Sequence, residues 1–133
     1  MTSDDNKRIV ASFFAAGNQG DMDTCLGLMA DDVRWTNMGS TRFSGTFEGK
    51  QAVLEDLLGP LFGRLRNGIV SEVEDMIAEG DRVVVLSRGT AETVDGKPYN
   101  NRYCQIMRLR NGRIVAVTEY MDTALVEETF GRH

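Results

Sequence analysis

Three turn signals divide the second half of the sequence into four segments. Glycine combines there with Asn or Asp, the residues that form tight β-turns, in Glu79-Gly80-Asp81, Val94-Asp95-Gly96-Lys97 and Asn111-Gly112. The segments between these turns are rich in β-branched residues, which favour strands. The sequence therefore predicts an antiparallel meander with strands over residues 69–78, 82–92, 99–110 and 114–120.

The first half of the chain shows the spacing of amphipathic helices instead. The clearest example is the apolar stripe formed by Ile9, Val10, Phe13 and Phe14. Gly59-Pro60 is expected to interrupt a later helix, and the glycines within residues 38–49 predict an irregular segment. The expected elements are helices over residues 4–16, 22–30 and 50–58, a short strand over 33–37, and a tail or helical turn over 123–130.

Helices followed by a meander of strands define an α+β fold, with the helices packed on one face of a curved antiparallel sheet. At 133 residues the chain is long enough for one full core, so we expect a single domain over residues 1–133. A curved sheet closed by helices forms a cone with an internal cavity, the kind of place where small ligands bind.

Charge and composition exclude several classes of function. The formal net charge of −5 argues against nucleic-acid binding, which needs a basic face. No apolar run approaches the roughly 20 residues of a membrane span. The polar, partly acidic N-terminus lacks the features of a secretory signal, so a cytoplasmic protein is expected.

The inventory of metal and cofactor ligands is short. Cys25 and Cys104 are far apart and outside any Cys-x-x-Cys motif, and the single histidine is His133. We therefore expect no zinc site, and both cysteines are interpreted as packing residues. Because the sequence lacks a glycine-rich phosphate loop, a haem motif and a nucleotide fingerprint, we infer no cofactor.

Glu119 is the candidate catalytic residue. It interrupts a β-branched run on the same strand face as Val115, Val117 and Met121, which is the more apolar face. A carboxylate enclosed by apolar side chains has a raised pKa, as a general acid or base that works near pH 7 requires. The alternative is that Glu119 simply faces solvent.

Other candidates carry similar alternatives. Asp122 is interpreted as a helix cap rather than a catalytic group. Trp35 is either a ligand contact or core, Asn37 either a buried hydrogen-bonding amide or a turn residue, and Arg82 either functional or an exposed hairpin residue. On the third long strand, one face is expected either to line a cavity or to face solvent or a second subunit. This face consists of Asn101, Tyr103, Gln105, Met107 and Leu109.

The order of elements resembles the nuclear transport factor 2 superfamily, in its SnoaL-like and ketosteroid-isomerase-like branch. The resemblance is carried by Trp35-Thr36-Asn37-Met38, by the run from Glu79 to Val85, by Arg110-Asn111-Gly112-Arg113-Ile114 and by Glu119-Tyr120-Met121-Asp122. It implies a cone-shaped, cystatin-like α+β barrel that hosts many activities. It also implies a homodimer that pairs through the outer face of the sheet.

The resemblance suggests roles for particular residues. The SnoaL-like cyclases use one carboxylate of the last strand as acid/base, which matches Glu119. An enolate that forms in the reaction needs hydrogen-bond donors, and the candidates are Arg82, Asn37, Tyr103 and Trp35. Limonene epoxide hydrolases are similar at Asn37, Arg82 and Glu119, but Val84 replaces their second carboxylate. Methionines such as Met107 and Met121 suit an adaptable pocket wall, and ordinary core packing is their alternative.

These observations predict a cofactor-independent isomerase or cyclase that acts on a hydrophobic carbonyl or polyketide-like compound. Glu119 and Arg82 are the expected catalytic residues, and the expected substrate contacts are Trp35, Asn37, Tyr103, Met107 and Met121. A non-catalytic ligand-binding or dimerisation domain is the first alternative. An epoxide-hydrolase-like enzyme is the second.

Overall fold

The three predicted turns are all present in the computed structural model, which describes residues 1–132 and leaves His133 outside the described residues. Asn111 and Gly112 have φ values of 52° and 80°, as a two-residue hairpin turn requires. The elements are α1 (Ser3–Asn18), α2 (Met22–Leu28), β1 (Met29–Asn37), β2 (Gly45–Glu48), α3 (Lys50–Ala52), a π-helical turn (Val53–Leu58), α4 (Gly59–Phe62), β3 (Val70–Glu79), β4 (Arg82–Thr90), β5 (Arg102–Arg110), β6 (Arg113–Met121) and α5 (Thr123–Phe130).

The sheet has six strands in the order β2-β1-β6-β5-β4-β3. The predicted α+β class is confirmed, but the sheet is mixed because β1 pairs with β6 in parallel. The connection from β1 to β6 runs through helices and four other strands. No hairpin therefore forces these two strands to be antiparallel.

Two clusters of buried side chains fill the space between helices and sheet. The main core joins α1, the π-helical turn and the inner face of the sheet, with Val10, Leu57, Met107 and Val117 among its fully buried members. A smaller cluster packs α5 against the segment around Tyr99. No helix within residues 1–132 is long and apolar enough to cross a bilayer.

A β-bulge at Val115 sets which β6 residues face inward. Leu109 pairs with Ile114, whereas Arg108 pairs with Ala116, so Val115 is the extra residue. Strict alternation would place Ile114 and Val117 on opposite faces of the strand, but both are buried in the core. Because the bulge shifts the register by one residue, the remaining part of β6 has its inner face at Val117, Glu119 and Met121.

Several element boundaries differ from the prediction. Strand β2 lies in the segment predicted to be irregular, and β1 begins at Met29, inside the predicted second helix. The first helix is capped by Thr2, whose hydroxyl accepts from the Asp5 N–H in a capping box. Residues Thr123–Phe130 form a complete helix.

The expected interruption at Gly59-Pro60 takes the form of a wider helical turn. The Gly59 N–H donates to the Leu54 carbonyl five residues earlier, so the helix continues through the proline instead of ending. A Cβ atom at Gly59 would lie 2.9 Å from the Leu54 oxygen. This turn presents Leu57 and Leu58 to the cavity described below.

Gly59→Ala is expected to lower the free energy of unfolding by about 1–2 kcal/mol, since the added methyl group must displace a backbone carbonyl. The matched control is Gly27→Ala in α2, where the structure offers open space. That change should stabilise by up to about 1 kcal/mol through helix propensity. Urea unfolding measures both variants, and equal effects would contradict the assigned role of Gly59.

Candidate active site

A cavity of about 380 Å³ lies between the helices and the inner face of the sheet. This volume is within the roughly 300–1,000 Å³ of typical small-ligand pockets. Aromatic side chains form much of the wall, among them Phe13, Phe14 and Phe43. Within residues 1–132, no Lys, Arg or His lines the cavity, and Glu119 is its single carboxylate. The wall therefore favours an uncharged, largely apolar ligand.

The cavity is most accessible between the α1–α2 turn and the loop that precedes β3. The exposed members of its lining all lie there, and they are Gly17, Asn18, Gly20 and Asn67. The Asn18 side chain donates to the Ser71 carbonyl at 2.8 Å and accepts from the Ser71 N–H at 2.7 Å. This pair of hydrogen bonds ties the end of α1 to β3 beside the mouth.

Three polar side chains form a row across adjacent strands on the cavity wall. Asn37 of β1 is the register partner of Glu119 of β6, and Glu119 is the register partner of Gln105 of β5. Register partners on neighbouring strands are about 5 Å apart. All three residues line the cavity, so a ligand beside Glu119 also meets the two amides.

The carboxyl group of Glu119 is set up for proton transfer near neutral pH. Burial raises its pKa from 4.5 to about 7, and the hydrogen bond that it accepts from Gln105 Nε2 is the smaller, opposing influence. Glu119 keeps some accessible surface. Because the residue lines the cavity, this surface is within reach of a ligand.

Asn37 is held rigidly by its neighbours. Its Oδ1 accepts from Trp35 Nε1 at 2.9 Å, and its Nδ2 donates to the Phe43 carbonyl at 3.0 Å. The indole N–H of Trp35 is therefore already used, and Trp35 offers a ligand only apolar contact. The second N–H of the Asn37 amide is not needed for these contacts.

Two phenol groups face the same cavity. The Tyr103 hydroxyl donates to the Tyr99 oxygen over 3.5 Å, and Asn101 Nδ2 donates to that oxygen at 3.1 Å. Burial raises the pKa of both tyrosines, and the charge of Glu119 raises it further. Both phenols consequently remain protonated near neutral pH and can donate hydrogen bonds.

Five of the seven expected site residues line the cavity: Glu119, Trp35, Asn37, Tyr103 and Met121. Arg82 does not join them, because the inner face of β4 carries Val83, Val85 and Ser87, and Arg82 is exposed on the opposite face. Val84 alternates with the same inner residues, so the structure does not gather the epoxide-hydrolase positions around Glu119. Met107 faces inward but lies within the main core, away from the cavity lining.

Asp122 acts as the predicted cap. Its carboxylate accepts from the Leu125 N–H at 3.2 Å and thereby begins α5. Its backbone is held by the buried side chain of Asn101, which both accepts from and donates to it at 3.1 Å. This contact fixes the end of β6 and the start of α5 at the end of the cavity that Val126 lines.

Two polar residues of the site, Gln105 and Tyr99, are absent from the expected substrate contacts. Gln105 lies on a strand face for which a cavity was one expectation, but only the bulge at Val115 brings it opposite Glu119. Tyr99 lies before β5, outside the strand expected to begin there, and is 4% exposed. Within the part of the chain that the structure describes, no group of three or more His, Cys, Asp or Glu side chains is placed to hold a metal ion.

The chain matches the family model of the SnoaL-like domain over residues 10–117. A protein of unknown function with a cystatin-like fold from Xanthomonas campestris is similar, with a TM-score of 0.84 and 26% identity over 96% of this chain and 98% of that chain. An NTF2-like protein of unknown function from Burkholderia pseudomallei has a TM-score of 0.84 and 24% identity over 96% and 97%. TerC, co-crystallised with polyporic acid, has a TM-score of 0.81 and 23% identity over 93% and 96%. No curated protein matches the sequence.

Proposed function

Because the chain belongs to the SnoaL-like domain family, a family and fold that support many activities, we propose a function from the site itself. The protein is a cofactor-independent enzyme that moves a proton on an uncharged, hydrophobic carbonyl compound, as isomerases and cyclases do. The family and the cystatin-like, NTF2-like fold expected from the sequence are confirmed. The activity is our proposal, and Glu119 at the cavity wall is the observation that carries it.

The proposed step begins with ionised Glu119 as general base. It takes a proton from the carbon next to the substrate carbonyl, and the C–H electron pair moves toward the carbonyl oxygen to form an enolate. A developing oxyanion needs hydrogen-bond donors. Two donors on the cavity wall suit this role: the phenol of Tyr99, which accepts in its contacts with Tyr103 and Asn101, and the second N–H of Asn37. Protonated Glu119 then returns the proton to a different carbon.

The pKa of Glu119 suits both halves of this cycle. At a value of about 7, the ionised and protonated forms are similarly populated at neutral pH. The absence of cationic side chains from the lining within residues 1–132 supports a neutral substrate, since the carboxylate would be the one charged group facing an anion. The co-crystal of TerC with polyporic acid is consistent with small-molecule binding in this fold.

The experiment uses 2-tetralone, a neutral bicyclic ketone with acidic α-protons. In D₂O, ¹H NMR should show that the protein accelerates loss of the α-proton signal in a saturable way. Tetralin, which has the same rings without the carbonyl, should inhibit this exchange by occupying the cavity. Exchange at the buffer rate, with tetralin still bound, would favour the alternative of a non-catalytic ligand-binding domain.

We further propose a homodimer that buries the outer face of the sheet. Leu86 and Tyr120 are 40% and 45% exposed there, and Cys104 lies between them in the same cross-strand row. Such an apolar row on an outer face is typical of a protein interface. Light scattering should give twice the chain mass of 14.8 kDa. A monomer at micromolar concentration would refute this assembly.

A further inference from the structure

The side chain of Gln105 has one unused end. Its Nε2 donates to Glu119 Oε1, while its Oε1 is buried without any hydrogen-bond partner. Gln105 is 7% exposed and lines the cavity. Buried polar atoms are almost always paired, so this acceptor requires a partner that the chain itself does not supply.

The orientation of the amide follows from its neighbour. An ionised carboxylate only accepts hydrogen bonds, so the Nε2 of Gln105 faces Glu119 and the Oε1 points away from it. The nearest amide in the row, that of Asn37, is already held by Trp35 and the Phe43 carbonyl. The next row along the strands contains the Tyr103 hydroxyl, which is directed at Tyr99.

We propose that Gln105 Oε1 accepts a hydrogen bond from a hydroxyl group of the ligand, so the substrate class is a hydroxylated, enolisable carbonyl compound. Gln105 and Glu119 are register partners. The hydroxyl therefore lies close to the carbon at which Glu119 transfers the proton. This inference rests on the cavity being the reaction site proposed above. It makes Gln105 the residue that discriminates ligands with a donor from ligands without one.

The test compares two probes of nearly equal shape, 2-naphthol and 2-methoxynaphthalene, by calorimetric titration at pH 8. The wild-type protein should bind 2-naphthol about tenfold more tightly, because the methoxy compound leaves Oε1 unpaired. Gln105→Met should remove this preference. Glu119→Gln should keep it, since the glutamine retains an oxygen acceptor for Gln105 Nε2. The control is Gln51→Met, which removes the exposed Gln51–Glu55 contact of the same type.

A second measurement needs no variant and applies if Gln105→Met does not fold. In the wild-type protein, the side-chain amide signals of Gln105 should shift with 2-naphthol and not with 2-methoxynaphthalene. Equal affinity for the two probes would overturn the inference. So would a preference that survives in Gln105→Met and disappears in Glu119→Gln, because Glu119 would then be the acceptor. Absence of 2-tetralone exchange with the preference intact would refute the catalytic proposal alone.

Discussion

Glu119→Gln is expected to slow α-proton exchange of bound 2-tetralone by about 10²- to 10⁴-fold, the usual contribution of a positioned acid or base. The amide has nearly the same shape as the carboxyl group and retains an oxygen for the Gln105 hydrogen bond. It cannot accept the substrate proton. Affinity for the ketone should therefore change little, and the loss should appear in the maximal rate.

The control for this change is Glu128→Gln, which removes the same charge from an exposed position on α5. It should leave the exchange rate within a factor of two of wild type, since net charge alone is not the cause. Deuterium exchange followed by ¹H NMR gives both rates. Full activity in Glu119→Gln would show that another group carries the proton.

The same substitution is expected to stabilise the protein at high pH by about 3 kcal/mol. The pKa of Glu119 rises from 4.5 in the unfolded chain to about 7 in the folded state, and each unit of difference is worth about 1.4 kcal/mol. Ionising this buried group therefore opposes folding. A glutamine avoids that penalty.

The direction of the pH dependence follows from proton linkage. Between pH 4.5 and 7 the folded state binds more protons at Glu119 than the unfolded state does, so the free energy of unfolding falls as pH rises. Below about pH 4.5 the group is protonated in both states, and the variant and wild type should be equally stable. Above about pH 7 the full difference is present.

Urea unfolding of wild type and Glu119→Gln at pH 4, 6 and 8.5 measures this difference. Subtracting the two curves cancels the other titrating groups, which both proteins share. Glu128→Gln should follow wild type at every pH. A difference that is constant across the range, or a wild type that is the more stable protein at pH 8.5, would contradict burial of an ionisable Glu119.

The class of fold and the face of the sheet on which Glu119 lies could both be predicted from the sequence. Turn residues at Gly80, Gly96 and Asn111-Gly112 defined the strands, and alternation along β6 placed Glu119 with Val117 and Met121. These signals are local, so they can be interpreted without knowing which strands or helices pack together. The same holds for the helix cap at Asp122, whose side chain accepts a hydrogen bond from the Leu125 N–H three residues later.

Features that depend on distant partners could not be predicted in the same way. The bulge at Val115 shifts the register, and only this shift brings Gln105 opposite Glu119. The parallel pairing of β1 with β6 places Asn37 in the same row. Arg82 is a prediction that failed for the same reason. From the sequence alone, a residue beside a turn can be either functional or exposed, and in the structure Arg82 lies on the face of the sheet that points away from the cavity.

The most direct measurement is the titration of Glu119 by ¹³C NMR of the side-chain carboxyl carbon in the folded protein, with Glu119→Gln to assign the signal. We expect a single transition with a midpoint near pH 7. A midpoint near the ordinary glutamate value of about 4.3 would show an acid in contact with bulk water. That result would contradict both the proton-transfer site and the predicted gain in stability.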